Sequence, residues 1–436
     1  MISSPSRLSL FPTSCRVNPS GNLEICGFRV SDLAKEYGTP LYIYDGSTIR
    51  GQAAILETLL HENYGKNAEI AYATKAYFSL AFARELGELN LGADLITIGD
   101  IRVAQRANLD PDKLHLHGNN KSAEEIDAAL GWGVGAIVVD SLDELTYVES
   151  IAEKAGKKAR IWLRITPDIQ VDTHKHIQTS HAASKFGVHI LDGQADRAIR
   201  QAMTSNWVNL VGLHTHLGSQ LRDTAVYEEA ISKMYSLAEK AGFITEEFSP
   251  GGGWGVRYIE EDPFINPRIW IEAISKQIKT ECEKRGWPLP LLVIEPGRFL
   301  VAQAGMAVYT IGSQKDTPDG QHIIAVDGGI ADNPRVALYS AKYTALIAER
   351  ADTANEVHTR IVGKFCESGD VLIEDILLPK ATRGETLAIP VAGAYQLSMS
   401  SNYNFATRPT VLWVEEGKVE VMQKREHPDE SPWWTG

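Results

Sequence analysis

The 436-residue chain has few cysteines and no long apolar run. Its four cysteines are spread along the sequence, and no CxxC pair occurs, which argues against a zinc ribbon or a disulfide scaffold. No apolar stretch approaches the ~20 residues of a membrane span, and residues 1–20 lack the apolar core of a signal peptide. These absences predict a protein of the reducing cytoplasm that does not enter membranes.

The chain also lacks an excess of basic residues. It has 43 Lys and Arg against 56 Asp and Glu, which gives a formal charge of −13. The charged residues are distributed along the chain and do not form blocks of one sign. This balance favours solubility and argues against a general surface for nucleic acids or anionic membranes. The length is typical of two or three domains with ordinary globular composition.

Lys75 stands in the run Ala71-Tyr72-Ala73-Thr74-Lys75-Ala76, at the end of a predicted buried strand. Ammonium groups are rarely buried without a partner, and burial lowers their pKa. A lysine of this kind is a nucleophilic amine that forms a Schiff base with a carbonyl. The alternative is an ordinary lysine whose ammonium group lies in water.

Strand-like runs alternate with amphipathic helical stretches between residues 68 and 297. Eight such units in roughly 230 residues fit the size of a TIM barrel, about 250 residues. The chain is therefore predicted to be an α/β protein with a (β/α)8 barrel. The predicted strands are 69–73, 93–97, 114–117, 136–140, 160–165, 210–216, 246–249 and 291–295.

Polar residues follow several of these strands at their C-terminal ends, where TIM barrels place their active sites. They are Lys75, His117 to Asn120, His216, Gly251 to Gly253 and Glu295 to Arg298. After Arg298 short β-rich segments dominate. We therefore expect a barrel over residues 45–300 and a β-sandwich or barrel-like domain formed by residues 1–44 and 301–436, which includes a strand at 22–26.

The residues at this rim allow more than one chemistry. Gly251 to Gly253 could bind a phosphate through backbone N–H groups, or could form only a tight turn. Glu295 could pair with Arg298, or keep a pyridinium nitrogen protonated. His216 could stack on an aromatic ring or be a core histidine. His214 and His216 share a strand face and suggest a metal, but they supply only two ligands, and nearby cations would repel it.

These motifs resemble a known family. Tyr-Ala-Thr-Lys-Ala around Lys75, His-Thr-His-Leu-Gly-Ser-Gln at 214–220, the glycine run at 251–255 and Glu-Pro-Gly-Arg at 295–298 resemble the fold-type III pyridoxal-phosphate enzymes. Segments 332–339, 366–370 and 393–401 resemble the diaminopimelate decarboxylases within that group. The resemblance covers residues 20 to 415, and it implies pyridoxal 5′-phosphate as the cofactor.

The resemblance also implies roles for individual residues. Catalysis would fall to Lys75, joined covalently to the cofactor, and to Cys366, which would protonate the product. His216 would stack on the cofactor ring and Glu295 would meet its nitrogen. The remaining cofactor contacts would be Ser219, Gly252, Gly253, Pro296, Gly297, Arg298 and Tyr395. The substrate contacts would be Arg298, Arg335, Tyr339, Glu367 and Tyr395.

The activity implied is decarboxylation of meso-2,6-diaminopimelate to L-lysine and CO2 in a homodimer with shared active sites. An arginine pair suits the distal carboxylate of this substrate, and a glutamate suits its ammonium group. The nearest alternative is a related decarboxylase of the ornithine, arginine or carboxynorspermidine type. A non-catalytic carrier of the cofactor and a metal-dependent hydrolase are the more distant alternatives.

Overall fold

The computed structural model describes residues 6–169 and 184–430. Contacts between Cα atoms divide the chain into two compact units. The first, here called the β-rich unit, comprises Met1–Gln52, Val256–Phe264 and Arg298–Gly436. The second, the barrel unit, comprises Ala53–Gly255 and Ile265–Gly297.

The N-terminal segment contains four strands and two helices. They are β1 (Cys15–Val17), β2 (Leu23–Ile25), β3 (Phe28–Arg29), α1 (Val30–Tyr37), β4 (Leu41–Asp45) and α2 (Gly46–Asn63). The first three strands form a small antiparallel sheet of their own. The predicted strand at 22–26 therefore exists as β2. The strand that joins the large sheet of this unit is β4, which the sequence patterns did not reveal.

The central part of the chain alternates strands and helices. The strands are β5 (Ala68–Ala73), β6 (Gly92–Leu95), β7 (Leu114–Leu116), β8 (Ala136–Val139), β9 (Ala159–Thr166), β10 (Val188–His189), β11 (Val208–His214), β12 (Glu247–Gly251) and β13 (Leu291–Ile294). The helices are α3 (Leu80–Glu88), α4 (Ile98–Arg106), α5 (Ala123–Trp132), α6 (Leu142–Ala155), α7 (Gln194–Thr204), α8 (Ala225–Ala241) and α9 (Pro267–Arg285).

Eight of these strands close into a parallel barrel in the order β9, β11, β12, β13, β5, β6, β7, β8, and β8 pairs with β9 to complete the ring. The short strand β10 is added to β9. All eight predicted barrel strands are present, which confirms the predicted fold. They were recognisable because parallel strands are buried on both faces and appear as short apolar runs.

Hydroxyl side chains begin several helices directly after the barrel strands. Ser79, Thr97, Ser122 and Ser141 each accept a hydrogen bond from the backbone N–H three residues later. Thr97 and Ser122 form full capping boxes with the acidic residue at that position. Such caps satisfy N–H groups that have no partner within the helix, so the chain turns sharply at the rim where the polar residues lie.

The C-terminal part of the β-rich unit is built on a long central strand. Its elements are α10 (Arg298–Val301), β14 (Gly305–Asp316), β15 (His322–Val326), α11 (Arg335–Tyr339), β16 (Leu346–Ile347), β17 (Val357–Val362), β18 (Val371–Leu378), β19 (Thr386–Ile389), β20 (Thr410–Glu415) and β21 (Lys418–Gln423). The sheet order is β18, β17, β15, β14, β4, β20, β21, and β19 pairs with β14 and β16. Its apolar core includes Ile43, Met306, Val308, Ala388 and Leu412.

Across the described ranges, none of the helices has both the length and the apolar character that crossing a membrane requires.

Candidate active site

Lys75 lies in a single 3-10 turn, Thr74–Ala76, that directly follows β5. Buried hydrogen bonds fix this turn. The Tyr72 hydroxyl donates to the carbonyl oxygen of Tyr77 at 2.8 Å and accepts from its amide at 3.1 Å. The Thr74 hydroxyl donates to the carbonyl oxygen of Asp94 at 2.6 Å. The lysine is therefore carried by a backbone with little freedom to move.

The expectation that the Lys75 amine is buried is wrong. Thr74 and Ala76 are buried, whereas Lys75 itself is exposed. The reason is the 3-10 turn, which takes the chain out of the line of the strand before the lysine is reached. Its positive charge nevertheless acts on His216, as described below. An accessible amine on a rigid turn suits a group that must be joined by a carbonyl compound from outside.

Glu295 follows β13 and is only 7% exposed. The Ser249 hydroxyl donates to its Oε1 at 2.5 Å, and His214 Nε2 lies 3.2 Å from its Oε2. Burial raises the pKa of Glu295 to about 7, and the negative charge of Asp94 acts in the same direction. Its barrel partners are thus a serine and a histidine, which the sequence analysis had not assigned to it.

The turn Gly251 to Gly253 packs tightly against two other loops. A Cβ on Gly252 would lie 2.0 Å from the carbonyl oxygen of Glu295, and one on Gly253 would lie 2.1 Å from that of Gly218. Gly251 and Gly253 also have φ angles of +76° and +103°, which disfavour other residues. Only glycine allows so close an approach of three backbone segments.

The carbonyl groups of this turn are all occupied by protein donors. The Gly251 oxygen accepts from the Glu295 amide at 3.2 Å, and the Gly253 oxygen accepts from the Leu221 amide at 3.0 Å. The Gly252 oxygen accepts from the Tyr227 hydroxyl. In a planar trans peptide the N–H points opposite to the C=O. The next amide after each carbonyl therefore points away from these partners, as an anion-binding turn requires.

His216 follows β11 and its imidazole lies against Gly251, where an added Cβ would be 2.8 Å from Nδ1. The pKa of His216 is well below its usual value, first because of burial and then because of the positive charges of Lys75 and Arg164. A neutral, flat ring close to the lysine is what stacking on an aromatic cofactor requires. Ser219 lies partly buried in the loop that follows.

Behind Glu295 the barrel encloses a group of polar side chains. His115 Nδ1 and His117 Nε2 lie 3.5 and 3.3 Å from Asp94 Oδ1. The ring centroids of His117 and His214 are 5.0 Å apart in an edge-to-face arrangement. Burial opposes ionisation of Asp94, but the charge and hydrogen bonds of the two histidines hold its pKa far below its usual range.

The sequence suggested only two metal ligands, but His117, His214 and Glu295 place one donor atom each within 4.8 Å of one another. The electrostatics favour a hydrogen-bonded cluster instead. Arg164 projects from β9 into the same region, and its positive charge lowers the pKa of His214. A second cation there would meet the same repulsion. We therefore treat the contact between His214 and Glu295 as a hydrogen bond.

Within the β-rich unit, two arginines surround one tyrosine. Arg298 Nη1 donates to the Tyr258 hydroxyl at 2.5 Å, and the Arg335 guanidinium lies 4.6 Å from the centre of the Tyr258 ring. Arg335 Nη1 also donates to the Tyr343 hydroxyl at 2.5 Å. Burial alone would raise the pKa of Tyr258, but the charges of Arg298 and Arg335 outweigh it and lower the pKa. The cluster is strongly positive and suited to an anion.

Tyr395 belongs to the same arginine cluster. The Arg298 guanidinium lies 4.6 Å from the centre of the Tyr395 ring. The residue has a φ angle of +61°, a left-handed conformation that is uncommon for a tyrosine. Strain of this kind is retained where the surroundings enforce it, often at functional sites.

The other predicted substrate residues, Tyr339 and Glu367, and the predicted catalytic Cys366 are less enclosed. Tyr339 is partly exposed at the end of α11. Cys366 and Glu367 are exposed on the turn between β17 and β18, which Asp370 fixes by accepting from the amides of Ile330 and Phe365 at 2.6 and 2.8 Å. Within the single chain, Arg298, Arg335 and Tyr395 therefore lie in one cluster, whereas Cys366 and Glu367 are exposed to solvent.

These observations fit the cofactor expected from the sequence. The glycine turn would offer amides to a phosphate, and a carboxylate buried at the end of a barrel strand needs positive or hydrogen-bonding partners. A protonated ring nitrogen would be such a partner for Glu295. The exposed Lys75 amine is free to reach an aldehyde. Pro296 and Gly297 are buried, and the Pro296 carbonyl accepts from the Ala73 amide at 3.4 Å, which joins β13 to the lysine turn.

Several contributors were not recognised in the sequence. Asp94 and Arg164 lie within strands, and a charged residue in an apolar run is a signal that could have found them. Ser249 and Tyr227 gave no such signal, because serine and tyrosine are common in strands and helices. Tyr258 lies in a nine-residue segment that joins the β-rich unit across a long sequence separation.

Comparisons with known proteins agree with this picture. The family model described as "Pyridoxal-dependent decarboxylase, pyridoxal binding domain" matches residues 52–302. A diaminopimelate decarboxylase from Bacillus subtilis is 40% identical over 415 residues, which cover 94% of each chain. The crystal structure of diaminopimelate decarboxylase from M. jannaschii in complex with L-lysine has a TM-score of 0.90 and 31% identity, and covers 96% of each chain.

A lysine/ornithine decarboxylase from Vibrio vulnificus, solved in complex with putrescine, has a TM-score of 0.73 and 23% identity. The comparison covers 89% of this chain and 97% of the other. At this level of identity the likeness concerns the fold alone.

Proposed function

The chain belongs to the diaminopimelate decarboxylases, a family of pyridoxal-dependent carboxy-lyases, and from this premise we propose that it converts meso-2,6-diaminopimelate to L-lysine and CO2. The observation that carries the proposal is the buried Glu295, held by Ser249 and His214 at the end of a barrel strand. A carboxylate so placed is suited to keep a ring nitrogen protonated.

The cofactor would be held by the residues that the sequence resemblance implies. Lys75 Nζ would join its aldehyde, His216 would lie on its ring, and Glu295 would accept a hydrogen bond from its protonated ring nitrogen. The phosphate would be bound by Ser219, by the amides of Gly252 and Gly253, and by Tyr395. Pro296, Gly297 and Arg298 would complete the contacts. Once bound, pyridoxal phosphate supplies an electron sink for the pair left when the carboxyl group departs.

The protein then orients the substrate and moves protons. Loss of CO2 breaks one carbon–carbon bond, and the same carbon must receive a proton to give lysine. We assign that proton to the Cys366 thiol. Lys75 Nζ would hold the cofactor aldehyde before the substrate binds and after the product leaves. With the cofactor bound, Glu295 would be ionised and would stabilise the positive charge on the ring nitrogen, so it would act as a preorganised electrostatic group.

The arginine cluster would select the substrate. Diaminopimelate has a second amino acid group at its far end, and the carboxylate there would be bound by Arg298 and Arg335, with Tyr339 nearby. Glu367 would bind the distal ammonium group. Ornithine and arginine lack that carboxylate and would leave the buried Arg335 and the partly buried Arg298 without an anion, which is costly. This favours diaminopimelate over substrates of the ornithine, arginine or carboxynorspermidine type.

We further propose a cytoplasmic homodimer in which the β-rich domain (residues 1–44 and 301–436) completes the site of the barrel domain (residues 45–300). The exposure of Cys366 and Glu367 in the single chain supports a role in the partner's site. Mixing Lys75→Ala chains with Cys366→Ala chains tests this. Random pairing of the two inactive variants should restore roughly a quarter of the activity if sites are shared, and none if each chain is self-sufficient.

The function is tested by incubating the purified chain and pyridoxal phosphate with meso-diaminopimelate, ornithine, arginine and carboxynorspermidine in parallel. Release of CO2 and L-lysine from the first alone supports the proposal. The Glu295→Gln variant is the matched control and should lose most turnover while keeping its fold. Turnover of ornithine or arginine without diaminopimelate would replace the proposed substrate by the alternative.

A further inference from the structure

The polar cluster behind Glu295 includes His214, a side chain whose protonation the mechanism above does not specify. His214 is 1% exposed, and its Nε2 lies 3.2 Å from Glu295 Oε2. We propose that His214 is a positioning residue for Glu295: a neutral imidazole whose Nε2–H holds the neighbouring carboxylate in its ionised form. This inference rests on the proposed contact of Glu295 with the cofactor ring.

The surroundings determine which nitrogen of His214 carries the proton. Nδ1 is buried and has no hydrogen-bond partner among the described residues. A buried N–H without an acceptor is costly, whereas an unused lone pair costs less. A proton on Nδ1 would also leave two lone pairs facing each other, on Nε2 and on Glu295 Oε2. The tautomer with the proton on Nε2 removes both penalties and gives Glu295 a donor.

His214 is also kept from becoming a cation. Burial lowers its pKa well below the usual value, and the positive charges of His117 and Arg164 act in the same direction, against the opposing effect of Asp94. A neutral donor stabilises the ionised form of Glu295 without adding a full charge. It would therefore not compete electrostatically with a protonated ring nitrogen for the same carboxylate.

The groups around Glu295 have opposing effects on its ionisation, so the loss of one hydrogen-bond donor can change its charge state. The groups that act on it from the neighbouring elements are Asp94, His115, His117, Arg164, Tyr227 and Ser249. Burial and Asp94 oppose its ionisation, while the two histidines, Arg164 and the serine hydroxyl favour it. Each carboxylate oxygen has one donor on the barrel side, Ser249 on Oε1 and His214 on Oε2. Removal of either donor should shift the balance toward the protonated acid.

The test uses a pair of variants with similar length and different chemistry. Glutamine at position 214 can place an amide N–H close to the position of Nε2, whereas methionine fills the same space without a donor. The ionisation of Glu295 is followed by the infrared carbonyl band of its protonated form, assigned by its loss in Glu295→Gln. It is measured in the full chain, both with and without bound pyridoxal phosphate.

We expect the midpoint of the Glu295 titration to rise by at least about one pH unit in His214→Met, a tenfold change in the ionisation constant. His214→Gln should restore it to within about half a unit of the unmodified chain. The low-pH side of the kcat profile, where protonation of Glu295 would stop turnover, should move with the same midpoint, while the high-pH side stays in place. Equal midpoints in all three proteins would overturn the proposal, since a merely structural role would alter stability without separating glutamine from methionine.

If His214→Met does not fold, the charge and the tautomer of His214 can be measured directly in the unmodified chain. With 15N-labelled histidine, the His214 signal, assigned by its loss in His214→Gln, should show a neutral ring protonated at Nε2 from pH 5 to 9. Protonation of both nitrogens within that range, or a stoichiometric metal ion bound at Nε2, would refute the inference. The cofactor-free measurements involve no substrate, so failure to turn over diaminopimelate would count against the proposed function alone.

Discussion

The hydroxyl of Tyr72 holds both backbone groups of Tyr77: it donates to the carbonyl oxygen at 2.8 Å and accepts from the amide at 3.1 Å. The two residues enclose the turn that carries Lys75, so one fully buried phenol closes the loop that holds the Lys75 amine. The position of the amine therefore depends on a side chain that has no chemistry of its own.

The first prediction concerns this phenol. Tyr72→Phe would leave the buried amide and carbonyl of Tyr77 without that partner, which costs about 1–3 kcal/mol of unfolding free energy. We also expect weaker binding of pyridoxal phosphate, because the lysine turn becomes looser. Urea unfolding and a cofactor titration measure the two effects.

Tyr64→Phe is the matched control for Tyr72→Phe. The Tyr64 hydroxyl is buried in the same unit and donates to the carbonyl oxygen of Pro290 at 2.8 Å. Its loss should lower stability by a similar amount and leave cofactor affinity unchanged. If both variants bound the cofactor as tightly as the unmodified chain, the turn would not depend on Tyr72.

The second prediction concerns the stability of the cofactor-free chain as a function of pH. The pKa of Glu295 is about 7 in the folded chain, against an ordinary value of 4.5. Between these pH values the folded state binds more protons than the unfolded state. The stability that protonated Glu295 contributes is therefore complete below about pH 4.5 and is lost as the pH rises through 7.

Glu295→Gln cannot ionise, so it removes this dependence. Relative to the unmodified chain, the variant should gain stability between pH 5 and pH 8 by an amount on the order of 3 kcal/mol. Chemical denaturation of both proteins at the two pH values measures the difference. A constant difference across the range would mean that Glu295 titrates as an ordinary exposed carboxyl group.

The third prediction concerns the glycine turn. Gly252→Ala would place a methyl group 2.0 Å from the carbonyl oxygen of Glu295, so the two loops must separate. We expect a loss of about 1–3 kcal/mol in stability, as for other overpacked sites, together with weakened cofactor binding. Thermal unfolding and a cofactor titration provide the measurement.

Gly131→Ala serves as its control. Gly131 lies in helix α5, and a Cβ there meets nothing within 4 Å. Alanine at an open helical position should be neutral or stabilising by up to about 1 kcal/mol, with no change in affinity for the cofactor. If Gly252→Ala and Gly131→Ala had the same stability and the same affinity for the cofactor, the close packing of the turn would be contradicted.

The fourth prediction concerns substrate selection. Arg335→Lys keeps the charge but loses the planar fork that contacts Tyr258 and Tyr343. We expect KM for meso-diaminopimelate to rise about 10- to 100-fold, with a smaller effect on kcat. A rise of this size corresponds to the loss of one charged hydrogen bond, which contributes roughly 1.5–3 kcal/mol. Arg360→Lys, at a partly exposed ion pair with Glu374 in the same unit, should change neither constant. An unchanged KM in Arg335→Lys would remove this arginine from the substrate site.

The sequence was sufficient for the barrel but not for the whole site. The eight barrel strands were recognisable from short apolar runs, and the rim residues followed from the position of polar groups at strand ends. The exposure of Lys75 was not predictable, because a pattern of residues does not reveal that a 3-10 turn ends β5. Tyr258 was missed because its contacts with Arg298 and Arg335 join residues 40 or more positions apart.

The role of His214 shows a similar limit. The spacing of His214 and His216 places both on one face of a strand, and this is compatible with a metal or with two separate tasks. Only the three-dimensional structure places Glu295 at 3.2 Å from the first and the glycine turn against the second. His214 and Glu295 are 81 residues apart, and the barrel brings them together because β12 pairs with both β11 and β13.

Covalent attachment of pyridoxal phosphate to Lys75 is central to the proposed function. Reduction of the purified holoenzyme with borohydride would make this bond permanent, and mass spectrometry of its peptides would locate it. We predict the cofactor mass on the peptide that contains Lys75 and on no other lysine. A reduced enzyme with an unmodified Lys75, or with the cofactor on a different lysine, would contradict the account.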